Sequence, residues 1–228
     1  MARMGNGYGS EAHLLRYLGR HRDLLNKKCL QVLGGKSIHW LDFNFDCSKT
    51  WKDSELKVLD FLGKDHLVQD AWSEFWPQRG GIHNWDAVGI LDTGFSEDWI
   101  LVEAKANIEE IQSSCKAKEG GSGYKKIVDA FRVVKEDLGV PEEADWMNGY
   151  YQYANRIAAL HFLARHHVPA QLLFIYFVGD SMQDSTCPQT VGEWAEALNI
   201  RNEFLSLSYG HGLGRRVKDL FLEVCPSE

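Results

Sequence analysis

Three ionisable side chains, Asp86, Glu103 and Lys105, lie at the ends of two neighbouring apolar segments of the sequence. A carboxylate and an ammonium in an apolar setting are costly to bury unless they pair with each other or bind a metal ion. Carboxylate oxygens suit hard divalent cations such as Mg²⁺ and Mn²⁺ better than zinc. If the fold brings the three groups to one point, they can form a small metal or ion-pair site.

The two apolar segments are Val88–Leu91 and Trp99–Val102, and the polar linker DTGFSED between them contains a glycine. This pattern predicts two adjacent strands joined by a hairpin-type loop. Because side chains alternate along a strand, Glu103 and Lys105 share one face of the second strand. Asp86 belongs to the first strand, so we expect the three charged groups to converge.

The order Asp86, a spacer, then Glu103-Ala104-Lys105 resembles the signature of the PD-(D/E)XK nuclease superfamily. The resemblance implies that Asp86 and Glu103 bind Mg²⁺ or Mn²⁺, with the Ala104 carbonyl as a further ligand. It also implies that Lys105 orients the attacking water and stabilises charge on the phosphate. The sequence departs from the family pattern in one place, because Trp85 and not a proline precedes Asp86. A surface salt bridge at a strand end is the alternative interpretation.

An acidic residue upstream of the hairpin is a further candidate metal ligand. Leu67–Trp76 has the pattern of a helix, and Glu74 lies near its C-terminus, where the helix dipole disfavours a carboxylate. Glu55 is an alternative, and so is Glu11 in the first turn of an N-terminal helix, although the dipole explains Glu11 without a metal. A solvated helix surface explains Glu74 equally well.

Polar residues on both sides of the hairpin are candidates for binding nucleic acid. Arg79 lies in a glycine-containing connector that could approach a phosphodiester or form a plain turn. Gln152, Asn155 and Arg156 share one face of a helix predicted over 146–167. The resemblance implies that Gln152 reaches the metal-bound water or the phosphate, and that Arg156, through its bidentate fork, binds phosphate beside Asn155. A hydrated helix surface is the alternative.

The apolar pattern as a whole predicts an α/β fold. Leu172–Val178 is a continuous apolar run, typical of a strand buried on both faces. Strand, strand, helix, strand is the order of the superfamily core, so we expect a restriction-endonuclease-like mixed central sheet of four or five strands flanked by helices. Residues 1–228 form one domain in this interpretation, with a core over about 67–178 and a helical insertion over about 108–145 that follows the Glu-X-Lys strand.

Other segments carry weaker patterns of regular structure. The predicted helices are Ser10–Asn26 with Ser10 as its cap, Ser54–Leu62, Ile108–Ala117, Tyr124–Leu138, and a helix from the capping box of Thr190 and Glu193 to about Leu198. The predicted strands are Ser37–Phe45 and Phe204–Ser208. Two further segments, Lys28–Leu33 and Val217–Val224, could each be a strand or a helix.

Composition restricts the class of protein. The net charge of −7 does not favour nonspecific binding to nucleic acid, which relies on basic surface. The five cysteines lack Cys-X-X-Cys spacing, which argues against a zinc site or a disulfide framework and for a reducing, cytoplasmic setting. No apolar run approaches ~20 residues, so we expect no membrane-spanning segment, and the first residues show no secretory signal.

We therefore expect a metal-dependent nuclease that uses Mg²⁺ or Mn²⁺, and we favour DNA over RNA as its partner. The alternative is a catalytically inactive protein on the same fold that binds nucleic acid or another protein. A Schiff-base enzyme that uses Lys105 ranks last, because Glu103 nearby keeps the amine charged. The oligomeric state, including a homodimer, stays open.

Overall fold

The structure is a computed structural model that describes residues 8–41, 56–80, 84–207 and 212–225. Glu55 and part of the predicted strand Ser37–Phe45 lie outside the described residues. The described helices are α1 (Ser10–Arg20), α2 (Arg22–Leu33), α3 (Val68–Phe75), α4 (Ile108–Ile111), α5 (Ser122–Leu138), α6 (Tyr151–Arg165) and α7 (Val191–Phe204). The described strands are β1 (Ser37–Trp40), β2 (Leu56–Lys57), β3 (Asn84–Trp85), β4 (Ala87–Asp92), β5 (Glu97–Lys105), β6 (Ala170–Val178) and β7 (Val217–Glu223).

The described strands form a five-stranded mixed sheet in the order β1-β4-β5-β6-β7, and β2 and β3 form a separate pair. The pairs β1–β4 and β4–β5 are antiparallel, whereas β5–β6 and β6–β7 are parallel. The predicted α/β class, with a mixed sheet flanked by helices, is confirmed. The predicted strand over Leu172–Val178 is also confirmed, because β6 is an inner strand buried on both faces.

The hairpin predicted around the charged residues is present. Ala87 lies opposite Val102 at one end of the β4–β5 pair, and Asp92 lies opposite Glu97 at the other. The loop between them is closed by the backbone N–H of Thr93, which donates to the carbonyl oxygen of Ser96 at 3.0 Å. This register places Asp86 one residue before the β4 ladder, beside the end of β5.

The two faces of the sheet are covered by different helices. Leu101 packs on the face that contacts α3, α5, α6 and α7, whereas Ile100 and Val102 pack on the face that contacts α1 and α2. Since side chains alternate along β5, Glu103 and Lys105 lie on the α6 face, in line with Leu101. The α6 helix is buried from Tyr153 to Leu163, so it forms the centre of that layer.

The N-terminal helix differs from the prediction. The predicted helix is interrupted at His21, where the backbone leaves helical geometry. The structure therefore has two helices in its place, and the second continues to Leu33. Ser10 is not the cap. Gly9 occupies the cap position with φ of 88°, a conformation that glycine adopts without strain, and its N–H donates to the Asp180 carboxylate at 2.8 Å.

Two helices near the candidate site are shorter than predicted, and both differences have one cause. Ser113 and Cys115 donate backbone hydrogen bonds to the carbonyls of Gly149 and Met147, at 2.7 and 2.8 Å. This extended pairing ends α4 after one turn and delays the start of α6 to Tyr151. A local apolar pattern cannot report such a pairing between distant segments.

The remaining differences lie at the ends of the chain and before the hairpin. The described part of Ser54–Leu62 is strand β2 and a 3₁₀ turn rather than a helix. The predicted strand at Phe204 is wrong, because α7 continues through that residue. In the capping box that opens α7, Thr190 accepts a hydrogen bond from the backbone N–H of Glu193, and β7 is a strand.

The segment 108–145, predicted to be a helical insertion, contains α4 and α5. Ile127 and Phe131 on α5 belong to the same hydrophobic core as Trp76 and Ile157. This segment therefore shares the hydrophobic core on the α6 face of the sheet, and its residue Ile127 lines the same pocket as Asp86.

Candidate functional site

Asp86 is held at the end of the hairpin by two backbone groups of β5. Its N–H donates to the Val102 carbonyl at 3.0 Å, and its Oδ2 accepts the N–H of Ala104 at 2.7 Å. In an extended strand the N–H and C=O of one residue point to the same side, so the Ala104 carbonyl also faces the Asp86 side of β5. Oδ1 of Asp86 accepts no hydrogen bond from any described residue.

Glu103 is the centre of a buried ion-pair network, and 1% of its surface is exposed. Its Oε1 accepts a hydrogen bond from Nζ of Lys105 at 2.5 Å, and its Oε2 accepts one from Nε of Arg156 at 2.7 Å. These two cations hold the pKa of Glu103 below its usual value against the opposing effect of burial. The Glu103 carboxylate is therefore ionised, and each of its oxygens accepts a hydrogen bond from a cationic side chain.

Arg156, on α6, contacts both the hairpin and β3, the short strand that precedes the hairpin. Besides Glu103, its Nη2 donates to the Asn84 carbonyl at 2.7 Å and its Nη1 donates to Oδ1 of Asn155 at 2.8 Å. The guanidinium carbon lies 4.9 Å from the centre of the Trp85 ring, in cation–π range. Arg156 and Asn155 are both buried, so a hydrated helix surface does not describe this face of α6.

The pKa of Asp86 is shifted in the opposite direction to that of Glu103. Burial and, to a lesser extent, the neighbouring Glu103 carboxylate raise the pKa of Asp86 to about 7, against the lowering effects of Lys105, the Ala104 N–H and Arg156. Of two neighbouring carboxyl groups, Glu103 is thus ionised while Asp86 is poised near neutral pH. Perturbed carboxyl groups of this kind cluster at functional sites.

Asp86 opens into a pocket of about 750 Å³ between the hairpin, α5 and α6. We call this space the Asp86 pocket and define it by Asp86, Arg79, Lys116, Lys118, Tyr124 and Arg156, with further lining residues from the segment after α3, from α5 and from α6. Its volume lies in the range of small-molecule and cofactor sites. Of the three charged residues of the hairpin, Asp86 is among the described lining of this pocket, whereas Glu103 and Lys105 are not.

The structure brings most of the predicted site residues to this pocket. Gln152 lines it together with Asn155, Arg156 and Arg79. Gln152 also borders a second, much smaller cavity of about 10 Å³, which Glu103 and Lys105 line from the other side. Gln152 is therefore shared by the lining of the Asp86 pocket and of the cavity that Glu103 and Lys105 border.

The upstream acids do not join these residues. Glu74 is exposed on α3 and is absent from the lining of the Asp86 pocket, so the prediction that it completes a metal site finds no geometric support. Glu11 is exposed on α1, which packs on the opposite face of the sheet. Both placements follow from the register of the helices, since the apolar faces that bury α1 and α3 direct these carboxylates to solvent.

The residues present fit a divalent cation in part. Among the described residues no group of three or more His, Cys, Asp or Glu side chains could hold a metal ion. Asp86 offers a desolvated carboxylate with an unoccupied oxygen, and the Ala104 carbonyl faces the same side. Each oxygen of Glu103 already accepts a hydrogen bond from a cationic side chain, so a metal ion bound to Glu103 would share an oxygen with Lys105 or Arg156.

Sequence reasoning missed some residues that support this site. Trp85 and the Asn84 carbonyl hold Arg156, and Arg201 lines the small cavity behind the Glu103–Lys105 pair. Nη1 of the buried Arg201 donates to the Tyr176 hydroxyl at 2.6 Å. One signal was readable, because Arg201 follows Trp194 and Leu198 at the spacing of an apolar helix stripe, where an arginine is unexpected.

Among the described helices, none combines the length and the apolar character needed to cross a bilayer. The candidate site rests on its own geometry, because no protein-family model, no curated protein and no solved structure matches this chain.

Proposed function

We propose that this protein is a metal-dependent nuclease with a restriction-endonuclease-like fold. The observation that carries the proposal is that Asp86 and the Glu103–Lys105 pair converge at the end of one hairpin, where Asp86 lines a pocket that has room for substrate. The chain order of hairpin, helix and parallel strand around this point supports the fold assignment.

Asp86, the Ala104 carbonyl and Glu103 would hold the cation. Their oxygen atoms suit Mg²⁺ or Mn²⁺. When bound, such an ion polarises a phosphoryl oxygen and lowers the pKa of a bound water. The raised pKa of Asp86 agrees with this role, because a desolvated carboxylate gains more from a cation than a solvated one does.

Lys105 would act on the attacking water and on the phosphate. Its ammonium has three donors, and Glu103 is its one hydrogen-bond partner among the described residues. The remaining donors can orient a water or stabilise charge that develops on a phosphate oxygen in the transition state. Glu103 holds the ammonium in place.

The other polar residues would position the substrate. Arg156 fixes the Glu103 carboxylate from the α6 side, which makes it a positioning residue as long as its donors are engaged there. Gln152 lines both the Asp86 pocket and the small cavity bordered by Glu103 and Lys105, where its amide can hold the water or the phosphate. Arg79 lies on the open side of the pocket and can bind phosphate.

A second candidate function is binding without catalysis on the same fold. One observation favours it, because both oxygens of Glu103 are already occupied by Lys105 and Arg156. A network closed in this way could serve to hold the hairpin against α6, in which case the Asp86 pocket would bind a ligand without cleaving it.

Cleavage assays distinguish the two functions. Single- and double-stranded DNA and RNA are incubated with Mg²⁺ or Mn²⁺ and with wild type, Asp86→Ala or Lys105→Ala. Asp129→Ala, which removes an exposed carboxylate on α5, is the matched control. The nuclease predicts metal-dependent products that both site variants abolish and the control retains. Metal-independent products, or none from any substrate, would favour the binding function.

A further inference from the structure

The charge of the Asp86 pocket is opposite to that of the chain. The protein carries a net charge of −7, yet the pocket is lined by Arg79, Lys116, Lys118 and Arg156, with Asp86 as the acidic residue among its described lining. In the described part of the chain, the side chains of Arg79, Lys116 and Lys118 make no ion pair and no hydrogen bond. A cluster of unpaired cations in an acidic protein indicates an anionic ligand.

The start of α5 adds to this positive potential. Gly121, Ser122 and Gly123 line the pocket, and no side chain caps the first turn of this 17-residue helix. A Cβ on Gly121 would lie 2.9 Å from the Lys118 carbonyl oxygen, so the turn that joins Lys118 to the helix needs glycine. The backbone N–H groups at a helix start attract anions, in addition to the lysine and arginine side chains.

Aromatic side chains form the rest of the wall. Trp76, Tyr124 and Tyr151 line the pocket together with the aliphatic Ile127. Trp76 is buried against other aromatic rings, whereas Tyr124 and Tyr151 are partly exposed. Cationic groups that follow a phosphate backbone, together with aromatic rings that stack on bases, are the combination that binds single-stranded nucleic acid.

We propose that the Asp86 pocket binds an unpaired nucleotide, so that the substrate class of this protein is single-stranded nucleic acid. The inference rests on the proposed function, in which the phosphodiester beside this nucleotide reacts at Asp86. A pocket of about 750 Å³ encloses a ligand of nucleotide size rather than a duplex. A base in a duplex would have to leave its stack to enter the pocket, and this unstacking weakens binding of the duplex.

Binding without metal tests the inference separately from catalysis. Fluorescence anisotropy in EDTA compares labelled oligothymidylate and oligouridylate of about eight nucleotides with a duplex of the same length. Because an unpaired base enters the pocket without unstacking, we expect the single strands to bind at least about tenfold more tightly than the duplex. The DNA and RNA strands show which sugar the site prefers.

Two variants locate the binding in the pocket. Lys116→Ala/Lys118→Ala should lower the slope of log K against log salt by about 1.4, the value for two contacts to a single strand. The control Lys27→Ala/Lys28→Ala removes two exposed lysines from α2, on the other face of the sheet, and should leave the slope unchanged. Tyr124→Ala should weaken binding roughly five- to hundredfold, whereas Phe95→Ala, at an exposed loop, should not.

Equal affinity for single strand and duplex would overturn the inference, and so would equal slopes for the two lysine variants. The proposed nuclease function would survive that result if the duplex is cleaved with Mg²⁺ or Mn²⁺. Tight binding of single strands that depends on Lys116 and Lys118 would support the inference even without cleavage, and absence of cleavage would refute the nuclease function alone.

Discussion

Asp86→Asn should stabilise the fold by an amount that grows as the pH rises. Burial and the Glu103 carboxylate raise the pKa of Asp86 from 3.8 to about 7 in the folded protein. Between these two pKa values the folded chain holds a proton that the unfolded chain releases, so ionisation of Asp86 lowers stability as the pH increases. Asparagine has the same shape and no proton to lose, and the substitution therefore removes this pH dependence.

The size of the effect follows from the pKa shift. The full shift corresponds to about 4 kcal/mol of unfolding free energy once the pH exceeds 7, since each unit is worth about 1.36 kcal/mol. Part of this loss of stability has already occurred at pH 5, because the unfolded chain releases the proton above pH 3.8. Between pH 5 and pH 8 we expect the difference between Asp86→Asn and wild type to grow by about 1–3 kcal/mol, with the lower value if water from the Asp86 pocket solvates the carboxylate.

Urea unfolding followed by tryptophan fluorescence measures this difference. The titrations are run in EDTA at several values between pH 5 and pH 8, with Asp129→Asn as the control for loss of an exposed carboxylate. The control should shift stability by a similar small amount at every pH. If Asp86→Asn behaves like Asp129→Asn, the Asp86 carboxyl is solvated and the electrostatic account of the site is wrong.

Three further predictions test the network around Asp86. Glu103→Gln leaves the Lys105 ammonium and the Arg156 guanidinium without their counter-charge, and should lower the unfolding free energy measured in urea at pH 6 by roughly 3–5 kcal/mol. A loss below about 1 kcal/mol would contradict the ion-pair network. Arg156→Lys keeps the charge but loses the planar fork, and should lower the unfolding free energy by roughly 2–3 kcal/mol. The control Arg165→Lys, at the exposed end of α6, should lower it by less than about 0.5 kcal/mol. Equal losses in the two variants would show that the guanidinium fork of Arg156 does not stabilise the fold. Mg²⁺ or Mn²⁺ should raise the thermal midpoint of wild type more at pH 8 than at pH 6, because the cation competes with the proton on Asp86, and should not do so for Asp86→Asn; equal shifts in both proteins would place the ion elsewhere.

The hairpin could be predicted from sequence because its information is local. Apolar runs, a polar linker with a glycine and the alternation of side chains determine which face Glu103 occupies. The buried strand β6 and the capping box at Thr190 are local signals of the same kind, and the structure contains both.

Features that depend on contacts between distant segments could not be predicted in this way. The backbone hydrogen bond from Ser113 to Gly149 shortens two helices, and the sequence of neither segment indicates that it pairs with the other. The burial of Arg156 on α6 depends on Trp85 and Asn84, which are more than 70 residues away. Glu74 shows the opposite error, because closeness in sequence to the hairpin suggested a closeness in space that the register of α3 prevents.

Metal-dependent cleavage of a single-stranded oligonucleotide tests the central claim most directly. The rate is measured for wild type, Asp86→Asn and Asp129→Asn with Mn²⁺, at pH 6 and at pH 8. Wild type and Asp129→Asn should cleave, and faster at pH 8, where Asp86 is ionised in the free protein. Asp86→Asn should show no metal-dependent rate at either pH. Cleavage by Asp86→Asn at the wild-type rate would contradict the claim that this carboxylate holds the catalytic metal.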